Sequence, residues 1–417
     1  MNNLNNSQTF CYLPFGSIYV APSGELAPCC VAAPFNEKIN FKDFNTIDEM
    51  INSEPYKRMR KQMLNNVAPS ECSECFVYKN QHKDASNKMF KDFINESTLY
   101  NEDYSVNKVV YTDLRLSNHC NFKCRMCYHG SSSSWYEYWG YIQGIPDYQD
   151  NNPKYITVAD GAMQKFSDAN IDSIRKIYLA GGEPFITPTT FELLDKFTDA
   201  QASQIDISIN TNLSTLTYKG IDILEKLSRF KHVWLAASCD GYGKIGEYQR
   251  PGFNSDKFFE NLKRVVDFKK THHNFLVDID YTISTINMYH SFDFIDYVNA
   301  NFLEANNIRF HNVTQPFFFA PASCTPKRKE DLIKFYEDNI ANFKHTPNGN
   351  VLHALNEFVK YLKVSQDHTV YEHLMSKKQY LKISLPEMLK RFDEVHGTDY
   401  KEVCPWLAET FLIDKLI

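Results

Sequence analysis

The chain has 417 residues, 43% of them hydrophobic, and a formal net charge of −6 at pH 7. This length implies two or three units with full cores, and a mildly negative chain without long basic runs gives nucleic acid no electrostatic footing. No apolar run approaches the ~18 residues of a membrane span, and the polar start from Met1 to Gln8 lacks the apolar stretch of a secretory signal. Eleven cysteines, seven of them in short-spaced groups before residue 128, then suit metal binding better than disulfides. A cytoplasmic metalloprotein with no membrane or nucleic-acid partner is expected.

Taking the chain in order, Cys11 opens a segment in which Ile18 and Val20 alternate as in a strand. Pro22-Ser23-Gly24 is a turn signal, and Leu26 leads a return strand toward Cys29 and Cys30. Such a hairpin brings Cys11 and Cys29 together. Residues 46–64 read as helical, with Thr46 as cap, Asp48 and Glu49 in the first turn, and Lys57, Arg58, Arg60 and Lys61 in the second half. Pro55 splits this stretch, and Ser53 can cap the second piece. Cys72 and Cys75 form a C-x2-C pair able to take two corners of one metal centre. A four-cysteine zinc site would need the same residues as an iron–sulfur centre.

A strand over 109–117 leads into Cys120-Asn121-Phe122-Lys123-Cys124-Arg125-Met126-Cys127, spaced C-x3-C-x2-C. Three thiolates on one loop can grip three corners of an iron–sulfur cube. Such a cube normally takes four cysteines, so one iron is left for a small molecule. Zinc is the alternative, with His119 and His129 flanking the loop, although zinc sites usually pair one short cysteine spacing with a second one or with histidines. Ser131 to Ser134 can cap a helix beginning near Trp135.

Strands then alternate with helices, the pattern of a parallel α/β architecture. A strand over 176–180 ends in Gly181-Gly182-Glu183-Pro184, and Thr187 and Pro188 fit N-cap and N1 of the next helix. Strands follow over 204–212, 232–240, 275–284 and 308–314. Helices lie between them around Leu224, around Leu262 (with Ser255 as cap) and over 290–303. Counting the strand before Cys120 gives six. Three of them set an apolar face against a polar one: Asp206, Ser208 and Asn210; Trp234, Ser238 and Asp240; Asp278, Asp280 and Thr282. Helices outside and a wet interior produce that asymmetry, so an open or partial barrel with ligands at the C-terminal strand ends is expected. Helices over 326–343, 350–362, 385–395 and 399–411 form a closing segment, and Cys239, Cys324 and Cys404 read as packing thiols.

The cysteine loop, Gly181-Gly182-Glu183-Pro184 and Ser238-Cys239-Asp240-Gly241 together resemble the radical S-adenosylmethionine (SAM) superfamily over about residues 107–315. The resemblance implies a (β/α)6 partial TIM-type barrel in which Cys120, Cys124 and Cys127 hold a [4Fe–4S] cluster and SAM takes the open iron. It implies that the carbonyls of Gly181, Gly182 and Pro184, with Glu183, hold the SAM amino group. Ser238 and Asp240 would meet the ribose or methionyl part, Arg250 the carboxylate through bidentate bonds, and Asn210 the cofactor. Met126 stands where the family usually has an aromatic residue near adenine, and Tyr128 can compensate. Cys11, Cys29, Cys72 and Cys75 resemble the SPASM/twitch module that carries an auxiliary [4Fe–4S] cluster, here preceding the barrel, with Cys30 an ordinary buried thiol.

The expected organisation is an auxiliary-cluster domain at 1–105, the barrel at 106–320 and a helical segment at 321–417. The expected activity is reductive cleavage of SAM to a 5′-deoxyadenosyl radical that removes hydrogen from a C–H bond. An external flavodoxin- or ferredoxin-like donor supplies the electron. The substrate is expected to be a small polar, sugar-like molecule undergoing oxidation or epimerisation. The alternatives are a peptide that is crosslinked, thioether-bridged or epimerised, and a metal-stabilised binding module without catalysis. The few residues before Cys11 leave no room for the leader-binding domain that peptide modifiers of the family often carry, which favours the small molecule.

Overall fold

The computed structural model describes residues 9–73, 75, 87–90, 99–145, 154, 156, 162–302, 307–314, 316–343, 349–366 and 385–409. Leu303 and residues 410–411, expected at helix ends, lie outside them. The fold is α/β with a mostly parallel sheet, and the chain divides into two compact units interleaved in sequence. The first comprises residues 1–119, 155–209 and 218–234, the second 120–154, 210–217 and 235–417.

In the first unit β1 (Ser17–Val20) and β2 (Leu26–Ala27) form the expected antiparallel hairpin, turned at Gly24. β3 (Tyr111–Leu114) pairs in parallel with β1, β4 (Lys176–Leu179) with β3, and β5 (Asp206–Thr211) with β4. The hairpin therefore extends the same sheet that carries β3 and β4. Ile18, Val20, Ile177, Leu179, Ile207 and Ile209 are buried, as the period-2 pattern requires. Pro55 does split the 46–64 stretch. Ile47–Ile51 is capped by Thr46, which accepts from the Glu49 N–H, and Glu54–Leu64 follows with Pro55 in its first turn. Arg60 is not a surface charge at the helix end: it is fully buried, donating to the carbonyls of Pro14 at 2.7 Å, Tyr104 at 2.6 Å and Ile51.

The glycines after β4 have a structural task. Gly181 and Gly182 have φ of +84° and +56°, and a Cβ on Gly182 would lie 2.4 Å from the His119 carbonyl oxygen. The Glu183 N–H donates to that same oxygen at 2.7 Å. The turn is thus pressed onto the residue that precedes Cys120, which only glycine permits.

The short strands β6 (Thr217–Tyr218) and β7 (Ile221–Asp222) form a separate pair, and β8 (His232–Ser238) follows. In the second unit β9 (Phe275–Ile283) pairs in parallel with β10 (Asn307–Asn312). The helix Ser255–Lys269 is capped by Asn254, accepting from the Lys257 N–H at 2.8 Å. Ser255, expected as its cap, is the first helical residue, and its Oγ accepts from Gly243 N–H. An apolar cluster joins Trp135, Ile142 and Tyr248 to Met388, Leu389 and Phe392 of the helix Leu385–His396, and to Cys404. Cys239, Cys324 and Cys404 are all buried.

Gly182→Ala combines left-handed backbone with a backbone clash and is expected to cost about 2 kcal/mol or more. Gly220→Ala (φ +82°, nothing within 4 Å) carries backbone strain alone. Thermal unfolding of the two variants side by side measures the difference, and Gly182→Ala should melt at the lower temperature.

Candidate functional site

The loop from Cys120 to Cys127 is framed on both flanks in the second unit. On one side Lys123 N–H donates to Pro251 O at 2.7 Å and Arg125 N–H to Gln249 O at 3.0 Å. On the other stands the serine run, expected to cap a helix. It does not: the run enters the single 3-10 turn Ser133–Trp135, without a side-chain cap bond. Its hydroxyls serve the cysteine loop. Ser132 Oγ donates to Phe122 O at 2.5 Å, Ser134 Oγ to Cys120 O at 2.7 Å, and Ser133 Oγ accepts from Cys120 N–H at 3.3 Å. Trp135 completes this flank, its indole donating to Cys124 O at 3.0 Å. The loop's own backbone groups outcompeted the weak cap geometry of a serine run.

Arg250 lies beside the thiols. Its Nε donates to Asp240 Oδ2 at 2.6 Å, and its Nη1 is 4.0 Å from Cys124 Sγ. Asp240 is fully buried, and its Oδ1 accepts from Thr282 N–H at 2.8 Å. Both of its carboxylate oxygens are thus engaged by protein. Cys124 and Cys127 share a hydrogen bond that pushes the Cys124 thiol below its usual range, and Arg250 acts in the same direction against burial. Asn212 Nδ2, 2.9 Å from Asn121 Oδ1, sits 4.0 Å from Cys120 Sγ. Met126 is half-buried with its Sδ 3.5 Å from Gln249 Nε2, and Tyr128 is exposed. Ser238 is half-buried at the end of β8. Asn210 donates to Asp280 Oδ2 at 2.8 Å, and Arg309 Nη2 reaches Asp280 Oδ1 at 2.6 Å with His311 Nε2 at 3.5 Å. These four side chains make a polar wall on β5, β9 and β10.

In the first unit Glu183 is buried and accepts from Phe185 N–H at 3.0 Å. Thr187 sits at the expected N-cap, but its hydroxyl donates to the Glu183 carbonyl at 2.8 Å instead of capping. The other cysteine set also lies here. Burial raises the Cys11 thiol, and Cys29, Cys72 and Cys75 are near enough to raise it further. Burial pushes Cys72 up to about 12, with Cys29, Glu71 and Cys75 adding to it. Cys30, expected to be a buried thiol, is instead exposed: it bonds the Asp113 carboxyl, which burial raises to about 6 against the pull of Arg115.

Among the described residues no three Cys, His, Asp or Glu side chains converge at ion-binding distance as they stand. The donor chemistry of both sets nevertheless suits iron. Cys11, Cys29 and Cys72 are held above their usual range chiefly by burial, and a cationic centre supplies the positive charge that ionises such thiols. Sequence reasoning missed Ser132, Ser133, Ser134, Asn212 and Gln249. Only the unusual run of four serines was a visible signal.

Residues 114–291 match the family model of the radical SAM superfamily, and residues 11–76 match that of an iron–sulfur cluster-binding domain, SPASM. The chain thus carries a radical SAM segment, which binds a [4Fe–4S] cluster and SAM, and a SPASM segment, which binds auxiliary iron–sulfur clusters. Similar solved structures include polyhistidine-tagged anSMEcpe with bound AdoMet, at 18% identity over 58% of this chain and 60% of that one, TM-score 0.36. Native anSMEcpe with AdoMet and the Cp18Cys peptide matches at 17% over 58% and 62%, TM-score 0.34. Streptococcus suis SuiB bound to precursor peptide SuiA matches at 15% over 66% and 64%, TM-score 0.34. The chain spans less than two thirds of the length of each. No curated protein matches.

His396, whose ring lies 5.6 Å from that of Trp135, is lowered from 6.5 to about 4 by burial, with Arg125 and Lys123 adding to it. Its neutral form is the one the fold accepts, so its contribution is full above pH 6.5 and is lost as pH falls toward about 4. Urea unfolding across that window should show declining stability, with a shallower decline in His396→Gln. An unchanged slope would place the acid sensitivity elsewhere.

Proposed function

We propose that the chain is a radical SAM enzyme acting on a C–H bond of a peptide or small polar substrate. The observation that carries this is the C-x3-C-x2-C loop, held on both flanks with Arg250 beside Cys124. The bound groups would supply reductive cleavage of SAM and a 5′-deoxyadenosyl radical able to take hydrogen from an unactivated carbon. The protein's own residues bind, orient and exclude water.

Cys120, Cys124 and Cys127 hold the cluster. Arg250 offers the methionyl carboxylate the N–H groups that Asp240 leaves over, and Asp240 acts through Arg250 by fixing its fork. Ser238, Asn210, Met126 and Tyr128 border the cofactor. The wall of Asn210, Asp280, Arg309 and His311 presents both charges to a substrate. Cys11, Cys29, Cys72 and Cys75 hold the auxiliary cluster N-terminal to the radical SAM segment, with Cys30 left to Asp113. A ferredoxin- or flavodoxin-like protein in the cytoplasm supplies the electron. A peptide, the ligand named for two of the similar structures, is the first substrate class to test, and a sugar-like molecule the second.

Anaerobic reconstitution should give about eight irons per chain for two four-iron clusters, and 5′-deoxyadenosine should form with dithionite and SAM. Alanine at Cys120, Cys124 and Cys127 together should abolish that product. Tightly held zinc with no SAM cleavage would leave the binding-module reading standing. Arg250→Lys keeps the charge but loses the fork, so the KM for SAM should rise about tenfold or more with a smaller change in kcat. Deoxyadenosine yield raised by peptides, and not by small-molecule extracts, decides the substrate class.

A further inference from the structure

The side chain of Arg125, between Cys124 and Met126, is 1% exposed and is surrounded by the C-terminal part of the second unit. Its Nε donates to the Tyr248 carbonyl at 2.8 Å, and its Nη2 to Asp393 Oδ1 at 3.1 Å and Thr398 Oγ1 at 3.0 Å. The guanidinium lies 3.8 Å from the centroid of the Tyr248 ring and 5.2 Å from that of Phe392. Asp393, itself 8% exposed, also accepts from Thr398 Oγ1 at 2.7 Å and from Tyr400 N–H at 2.9 Å. It therefore ties the turn after the helix Leu385–His396, where Gly397 has a φ of +64°, to the loop 268 positions earlier.

The neighbouring residue reaches the same loop by a second route. Phe392 packs at 5.3 Å on Trp135, whose indole holds the Cys124 carbonyl. Two adjacent residues of one helix thus reach the loop at the Cys124 carbonyl, through Trp135, and at the Arg125 side chain. A buried guanidinium without its carboxylate is costly and would draw toward water, taking the segment from Cys124 to Met126 with it.

We propose that Arg125 and Asp393 form a positioning pair that sets the orientation of Cys124 and Cys127 toward a bound cluster, which makes the helix Leu385–His396 part of the cluster's support. The inference rests on the reading of the loop as a cluster site. Full-length chain is reconstituted anaerobically in two backgrounds, one lacking Cys72 and Cys75 and one lacking Cys120, Cys124 and Cys127. Asp393→Asn and Arg125→Lys are introduced into each. Iron release to a chelator is timed, and low-temperature EPR spectra of the reduced protein are taken with and without SAM.

Asp393→Asn should speed release from the loop about tenfold, the size of effect seen when a ligand's outer partner is lost, and should alter the SAM-dependent spectral change. Arg125→Lys should lie between it and the unsubstituted chain. Release from the four-cysteine centre should stay within about twofold. Equal acceleration at both centres would make the pair a global stability element, and no acceleration at either would make it idle; each overturns the proposal. If the unsubstituted loop takes up no iron at all, the cluster reading itself has failed and the inference falls with it.

Discussion

Close-set thiols in a low-dielectric pocket disfavour one another's ionisation, and the short loop that carries three of them has little more than the turn bond from Cys127 N–H to Cys124 O to hold its own shape. The fold meets that constraint from outside. The 249–251 segment supplies a backbone bond to each of Lys123 and Arg125, and the serine run with Trp135 satisfies groups of Cys120, Phe122 and Cys124 from the opposite flank. Backbone polar groups buried without partners cost about as much as a lost hydrogen bond. Separate stretches of sequence converge on this loop to supply partners for Cys120, Phe122, Lys123, Cys124 and Arg125.

Charge follows the same logic. Arg250 lies beside Cys124, and it is kept buried by Asp240, whose second oxygen is fixed by the Thr282 N–H at the end of β9. A buried ion pair adds little to stability over an apolar pair of equal size, but losing one partner costs roughly 3–5 kcal/mol. Arg250 with Asp240, and Arg125 with Asp393, are in that sense devices of orientation more than of stability. The first unit builds its thiol cluster differently. Cys11 precedes the sheet, Cys29 follows the hairpin, and Cys72 and Cys75 come after the Arg60-anchored helix, so secondary structure brings together cysteines far apart in sequence.

Local rules read much of this correctly. The hairpin around Gly24, the break at Pro55, and the strands β4, β5, β8, β9 and β10 lie within a few residues of where hydrophobic alternation and turn chemistry place them. Several failures occurred where a side chain had a choice of partners, while Ser53, at the start of Glu54–Leu64, makes no side-chain cap bond. Ser255 and the serines at 132–134 are good caps by residue type, yet their hydroxyls bond groups outside their own helix or turn, while Thr187 donates locally to the Glu183 carbonyl. A cap is worth about 1 kcal/mol, which a buried carbonyl in need of a donor can match.

The sequence by itself determined the chemistry on offer: two sets of cysteines, the glycines that let the turn after β4 approach His119, and the alternation that leaves Asp240, Asp280 and Asn210 on a polar face. Spacing and period are properties of the chain and need no partner to be read. Only the tertiary structure decided which groups stand behind them. It put Asp240 on Arg250, drew Arg125 toward a helix near the far end of the chain, and sent Cys30 to Asp113. Those choices depend on which desolvated charge finds its counterpart, and that is set by packing between residues that no sequence interval relates.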